Sequence, residues 1–241
     1  MATTQPTRSK KSPEQSPEQK PQKGVRTGKP ARQPIAGTQA RAHTTRQAIL
    51  RAATRIFAKN GFDGGRIDSI SKASRTHDRM IYYYFGSKEN LFIEVLKTVY
   101  QQMNDAEAKL SLDLSNPTHA LASLVHFMWN HYLEHPEFLT LLNTENLHRG
   151  KYLKKSARFH ELLPPGIAML ESILEKGVAQ GIFRADMKAR DLYITIASLG
   201  YFYLSNRYTL SAFLDQDMMA DEALDNWLTH ITTVVLRSVK A

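Results

Sequence analysis

Apolar residues recur with a helical period over most of this chain. Ala48, Ile49, Ala52, Ala53, Ile56 and Phe57 fall at i, i+1, i+4 and i+5, one stripe along one helix face. Thr44 and Thr45 stand where a cap belongs, so the first helix is expected to begin after them. Asn60 and Gly61 stop it, with Gly61 suited to a left-handed residue and Phe62 able to fold back onto the last turn. Two short helices are then expected. The first covers Ile67–Ser74, with Ile67, Ile70 and Ala73 inward; the second covers residues 78–84, with Ile81 and Tyr84 or Phe85 inward. Gly86 and Ser87 end the pair, and Ser87 caps a long helix whose stripe is Leu91, Phe92, Val95, Leu96, Val99 and Met103.

Six more helical segments follow, near 119–134, 137–148, 152–163, 167–180, 189–208 and 222–239. Asn116 and Pro117, Pro136, the pair Pro164 and Pro165, and Gly181 punctuate them. No stretch alternates with period two, so the fold class is all-α, with about nine to ten helices.

Charge changes this picture at one end only. The net charge is +9, yet residues 1–43 carry a surplus of +7, residues 44–90 one of +5, and residues 91–241 a deficit of −3. A surplus confined to the first 90 residues points to a polyanion partner there, DNA or RNA being the simplest. Residues 1–42 are rich in Pro, Gln, Ser, Thr, Lys and Arg, and repeat SPEQ at Ser12 and Ser16. Their apolar content is too low to offset the entropy of ordering, so they are expected to form a disordered basic tail able to add non-specific phosphate contacts. The chain has no cysteine, which excludes disulfides and thiolate metal sites and suits a reducing compartment. No apolar run reaches the roughly 18 residues of a membrane span, and no secretory signal is visible. A cytoplasmic protein with no membrane partner is expected.

The pair of short helices sits between two apolar stripes. A helix of about seven residues is too short to stand alone in water, and the flanking stripes supply the brace. In a helix-turn-helix the second helix enters the major groove and the first crosses the backbone. The segment TRQAILRAATRIFAKNGFDGGRIDSISKASRTHDRMIYYYFGSKENLFIEVL, about 55 residues long, resembles the DNA-binding domain of the TetR family of bacterial transcriptional regulators. The likeness rests on ILRAA…F…GF, on the I..I..A of the next helix, and on the closing IYYYFGSKENL. Within the family, HPEFLTLLNTENLHRG and the late apolar helix are most similar to the subgroup that includes the pyrimidine-utilisation repressor.

The resemblance implies a DNA-binding domain at 43–103, with its helix-turn-helix at 66–85, and a helical effector-binding and dimerising body at 104–241. It also implies a homodimer on a palindromic DNA operator, a small-molecule effector, no cofactor and no enzymatic activity. Repression released by ligand is the expected mode, with activation the alternative. Resemblance and geometry together assign base reading to His77, Asp78, Arg79 and Tyr83, with Arg79 suited to a bidentate contact with guanine. Tyr82, Arg66 and Lys88 are expected on phosphates, which fix register rather than sequence. The turn between the two helices departs from the family: Arg75 stands where glycine is usual.

In the body, Trp129, Asn143, Tyr201 and Asn206 combine aromatic and polar character inside apolar helices and are candidates to line an effector cavity. Residues 189–208 are apolar over much of their circumference, and Leu224, Trp227, Leu228, Ile231 and Val235 form a second stripe. With Leu192 and Ile196 these are expected at a dimer seam, which the resemblance to the TetR family implies is built as a four-helix bundle. One constellation points elsewhere: His131, Glu134 and His135 match the H-x-x-E-H spacing of a metalloprotease group. His135 precedes Pro136, a position biased away from helix, and no third ligand is evident, so no metal site is expected.

Overall fold

The computed structural model describes residues 36–156 and 164–241, and among these it contains ten α-helices. They are α1 (Ala36–Gly64), α2 (Ile67–Ser74), α3 (Asp78–Phe85), α4 (Lys88–Glu107), α5 (Pro117–Glu134), α6 (Pro136–Leu147), α7 (Pro165–Ala179), α8 (Ala189–Ser205), α9 (Arg207–Leu214) and α10 (Asp221–Val239). A 3-10 turn at Leu153–Lys155 follows α6. Of the α-helix expected over 152–163, residues 152–156 form only this 3-10 turn, which ends at Ser156 in extended conformation; the rest lies outside the described residues, as do residues 1–35 of the expected tail.

The first helix begins earlier than the capping threonines suggest. Residues 36–42 are helical rather than tail-like, and Thr44 and Thr45 lie within the helix, their hydroxyls donating to the carbonyls of Ala40 and Arg41, each at 2.9 Å. A threonine hydroxyl can bond the carbonyl four residues back as well as cap a new helix. At the other end the helical path breaks at Gly61, with φ 69°. Phe62 then turns back to stack on Phe57, ring centroids 6.2 Å apart.

The three-helix head closes on one small core. Ile49, Ala52, Ala53 and Phe57 of α1, Ile70 of α2, Ile81 and Phe85 of α3, and Leu91, Phe92 and Val95 of α4 are all buried. On α2 the inward positions are Ile70 and Ser71, with Ile67 half-buried; Ala73 is exposed, one step round the helix from where the stripe placed it. The Ser71 hydroxyl is spent on the Thr76 carbonyl at 2.6 Å, which explains how a polar residue occupies that place.

The body is a helical layer around α5, which packs on α7, α8 and α10. Apart from 152–163, its expected helices hold, with one division. The run expected over 189–208 ends at Ser205, with Asn206 at its C-cap, and a separate α9 turns away with no buried residue. Head and body meet where α1 lies along α6 and α4 runs from one into the other.

Gly65 sits where the head is tightest. A Cβ there would stand 2.3 Å from Cδ1 of Phe57 and 3.1 Å from the Gly61 carbonyl oxygen. Gly65→Ala should therefore lower stability by about 1–3 kcal/mol in urea unfolding and weaken DNA binding with it; an unchanged midpoint would show that the Phe57 ring can yield.

Candidate functional site

The turn between α2 and α3 sets the aim of the reading helix. Arg75 takes the left-handed conformation at φ 54°, ψ 40°. Its N–H donates to the Lys72 carbonyl at 3.2 Å, and the Thr76 N–H donates to Ser71 at 3.0 Å, the paired bonds of a Schellman ending. The turn thus keeps the geometry that glycine would supply, with an arginine side chain projecting from it, exposed. The Ser74 hydroxyl reaches back to the Ile70 carbonyl at 2.8 Å and stands 2.8 Å from the Thr76 hydroxyl, locking the corner.

α3 buries Ile81 and Phe85 and turns the rest outward. His77, Asp78 and Arg79 are exposed, Tyr82 is half exposed and Tyr83 is 76% exposed. His77 precedes the helix in extended conformation, its carbonyl accepting the Met80 N–H at 2.8 Å. The Arg79 guanidinium and the Asp78 carboxylate have no side-chain partner among the described residues. Tyr84 is half-buried against the core and meets the Tyr83 ring edge-on at 5.2 Å. The outward face of α3 therefore carries arginine, histidine, aspartate and two tyrosines, all uncommitted enough to meet a partner.

The flanking cations are more engaged. Arg66 Nε pairs with Asp68 at 3.1 Å at the exposed start of α2, and that hydrogen bond holds the Asp68 carboxyl below its usual range. Lys88 Nζ donates to the Asp63 carbonyl at 3.2 Å and lies 4.7 Å from the centre of the Phe62 ring, so it faces the corner between α1 and α2. Ser87 caps α4 by accepting the Asn90 N–H at 3.0 Å. Arg46, which the apolar stripe gave no reason to single out, bridges α1 to the rest of the head. Its guanidinium bonds Glu94 at 2.7 Å and lies 5.0 Å from the centre of the Phe85 ring. Burial alone would raise the Glu94 carboxyl; Lys97 and Arg46 outweigh it and hold the group below its usual range.

Inside the body, Asn143 and Tyr201 bond each other, while Trp129 and Asn206 are engaged with other partners. Asn143 Oδ1 accepts from the Tyr201 hydroxyl, and its Nδ2 donates to Ser205 Oγ at 2.8 Å, tying α6 to α8. Trp129 is buried against Tyr203, ring centroids 5.6 Å apart. The Asn206 amide returns to the carbonyl of Phe202, within its own helix, at 2.9 Å. Tyr100, Tyr132 and Tyr193 share the interior with Tyr201. Burial pushes the Tyr100 hydroxyl up to about 12 and raises those of Tyr132 and Tyr193 further.

The two histidines of the H-x-x-E-H constellation come together, ring centroids 4.4 Å apart, as their spacing suggested. His131 is buried and burial pulls it down to about 4, while His135 ends α5 and faces Glu137 at 3.3 Å. Among the described residues no group of three or more His, Cys, Asp or Glu is placed to hold a metal ion.

Residues 49–95 match the family model described as "Bacterial regulatory proteins, tetR family", and residues 117–235 match "Tetracyclin repressor-like, C-terminal domain". The HTH-type transcriptional repressor NicS of Pseudomonas putida is 50% identical over 199 residues, which cover 83% of this chain and 94% of NicS. The chain belongs to the TetR family of bacterial transcriptional regulators. The repressor SCO4008 of Streptomyces coelicolor is 30% identical over 56% of this chain and 67% of its own. Among solved structures, the Streptomyces coelicolor regulator SCO4942 superposes with a TM-score of 0.61 over 81% of this chain and 98% of its own, at 22% identity. A TetR family regulator from Marinobacter aquaeolei does so with a TM-score of 0.59 over 84% and 98%, at 17% identity. At those identities the likeness establishes the fold alone. This TetR-family chain is thus a DNA-binding transcriptional regulator, not an enzyme.

The left-handed arginine offers a direct check on the turn. Arg75→Gly removes the steric cost of a side chain in that conformation, about 1 kcal/mol or a little more, against a smaller entropic loss. Its urea midpoint should rise, by the equivalent of about 0.5 kcal/mol; a fall would show that the arginine side chain itself stabilises the corner.

Proposed function

We propose that the protein is a homodimeric repressor whose two α3 helices read a palindromic DNA operator in the cytoplasm and are released by a small-molecule effector bound in the body. What carries this reading is the exposed face of α3, where Arg79, Asp78, His77 and Tyr83 stand uncommitted on a helix braced from behind by Ile81 and Phe85. Arg79 supplies a guanine contact, Tyr82 and Arg66 reach phosphates, and Lys88 adds a phosphate contact at the first turn of α4, whose free N–H groups favour an anion. The name of the Pseudomonas relative, a transcriptional repressor, favours repression over activation. Among the described residues no helix is long and apolar enough to cross a membrane.

The dimer seam needs a different helix phase from the one the sequence suggests. Leu192, Ile196, Ile231 and Val235 are buried within the single chain, so they form its core and have nothing left to give a partner. The outward stripe of α8 carries Ile194 and Phe202, both more than half exposed, and α9 adds Phe213 at 84%. Leu224, Trp227 and Leu228 of α10 are half-buried, with surface remaining. We place the seam on these exposed apolar residues, since single-chain exposure of several large side chains on neighbouring helices is what a second copy would cover.

The effector is proposed to lie between α4, α5, α6 and α8, where Asn143 and Tyr201 present polar groups in an apolar setting; Trp129 backs the α5 side, and Asn206 caps the α8 end. By linkage it must bind the DNA-incompetent state better, typically by about 1–3 kcal/mol.

Selection of bound fragments from random DNA should return an inverted repeat. Arg79→Ala should then lose discrimination at one base pair in each half, by about 1–3 kcal/mol, and recovery of the same sequences with the same preference would remove Arg79 from base reading. Phe202→Arg should sediment as a monomer at concentrations where the parent chain is dimeric; an unaltered dimer would move the seam elsewhere.

A further inference from the structure

Three buried side-chain oxygens have no hydrogen-bond partner among the described residues: Glu107 Oε1, Glu145 Oε2 and Ser156 Oγ. Glu145 has a plain structural use, because its other oxygen accepts the N–H groups of Tyr152 and Leu153, both at 2.9 Å. Glu107 is different. It is the last residue of α4, it is 0% exposed, and the only partner of its carboxyl group among the described residues is the Gly166 N–H, which donates to Oε2 at 2.8 Å from the first turn of α7. Gly166 is matched to it, since a Cβ there would come within 2.2 Å of Oε1 and 2.9 Å of the Tyr193 ring. Tyr132 and Tyr193 stand close enough for the Glu107 charge to raise their hydroxyls further, after burial has done so, and neither hydroxyl bonds a described residue.

We propose that Glu107 anchors the effector site, and that its free oxygen takes the positively charged nitrogen of a small organic cation: a protonated amine, an amidine or a charged nitrogen heterocycle. This rests on the effector reading above and adds the class of ligand. A buried carboxylate with one backbone donor is left short of both charge and hydrogen bonds, and leaving such a group unpaired is costly. A cationic N–H group supplies both at once, as a charge-assisted hydrogen bond. The hydroxyls of Tyr132 and Tyr193, near enough to feel the Glu107 charge, add polar groups beside it. An anion would meet the carboxylate instead, like charge against like. Placement adds a consequence. Glu107 ends the helix whose first residue, Lys88, follows the reading helix, so a ligand that draws the carboxyl from Gly166 acts on the far end of the beam that carries α3.

The probes are benzylammonium and 2-phenylethylammonium, each set beside benzyl alcohol and benzoate, titrated calorimetrically into the full-length chain. At least one ammonium should bind where the alcohol and the carboxylate do not, and should lower affinity for a selected operator fragment. Glu107→Gln keeps an acceptor for the Gly166 N–H, so it should melt no lower than the parent and still bind operator. It should hold the ammonium about ten- to a hundredfold more weakly. Tyr132→Phe, which removes only a hydroxyl, should weaken it about tenfold or less. Ammonium binding unaltered in Glu107→Gln, or benzoate binding better than either amine, would overturn the assignment, as would no binding by either amine. If some uncharged compound released operator equally from parent and Glu107→Gln, the effector reading would survive and the Glu107 assignment would fall. If no DNA fragment were selected, the regulator reading would fail, while the calorimetry would still decide what Glu107 binds.

Discussion

The contact on which the rest depends is the insertion of Tyr152 between Phe62 and Phe92. Its ring lies 4.6 Å from the one and 5.0 Å from the other, while Phe92 meets Phe57 edge-on at 5.1 Å. Phe57, Phe62 and Phe92 belong to the head; Tyr152 belongs to the turn after α6, in the body. Aromatic pairs in such edge and offset arrangements add about 0.5–1.5 kcal/mol each beyond the area they bury, and here several share one ring. The position of Tyr152 is set by Glu145, whose buried carboxylate gathers the N–H groups of Tyr152 and Leu153. At the rim, Lys155 pairs with Glu89, and His148 approaches Asp63 at 3.9 Å. Together with the packing of α1 along α6, this knot pins the head to its own body, so the separation of two heads in the proposed dimer would be a property of the bodies.

That fixed point leaves α4 as the element through which the interior can reach the DNA. Its first turns are packed into the head through Leu91, Phe92 and Val95, and its last residue is bonded to α7 through Glu107. Over 20 residues it spans about 30 Å. α3, by contrast, has eight residues and two buried anchors, so it has no independent stability and goes where α1, α2 and α4 hold it. A small displacement at the inner end of α4 therefore need not unfold anything in order to alter the angle or spacing of α3. It needs only to compete with the packing around Tyr152, which is why that knot and the Glu107 end must be weighed together.

The head was legible in the sequence because most of its local signals agreed. Gly61 broke the helix, Ser87 capped α4, and α2 and α3 began and ended within a residue of their stripes. Where a signal was ambiguous the reading slipped. Threonine serves both as a cap and as a residue that bonds back within a helix, so Thr44 and Thr45 hid a helix that begins at Ala36. A helix apolar on nearly every side carries no phase. On α8 that left Leu192 and Ile196 indistinguishable from Ile194 and Phe202, and only packing against α5, α7 and α10 separates the core pair from the exposed pair. Apolar residues continue across Asn206, which concealed the break between α8 and α9. Glu107 gave no signal at all, since an acid at the end of an amphipathic helix reads as solvated until a glycine from 59 positions further along is found against it.

The two faces of α8 divide the labour of the body. Leu192, Ile196 and Gly200 face inward, where Gly200 lets the Tyr132 ring approach to 3.2 Å of where a Cβ would be. Tyr132 in turn stacks on Phe138 of α6, ring centroids 5.9 Å apart. The inner face is therefore part of the same packed unit as the tyrosines near Glu107, while Ile194 and Phe202 look away from it. The proposed seam on the outer face would share no side chain with the surroundings of Glu107, so a ligand there could reach it only by moving α8 as a body. In the proposed dimer that division would let the seam serve as the reference while α4 shifts against it. A seam built from Leu192 and Ile196 would have put the reference and the moving part on one surface, and ligand binding would then have loosened the dimer as it released the DNA.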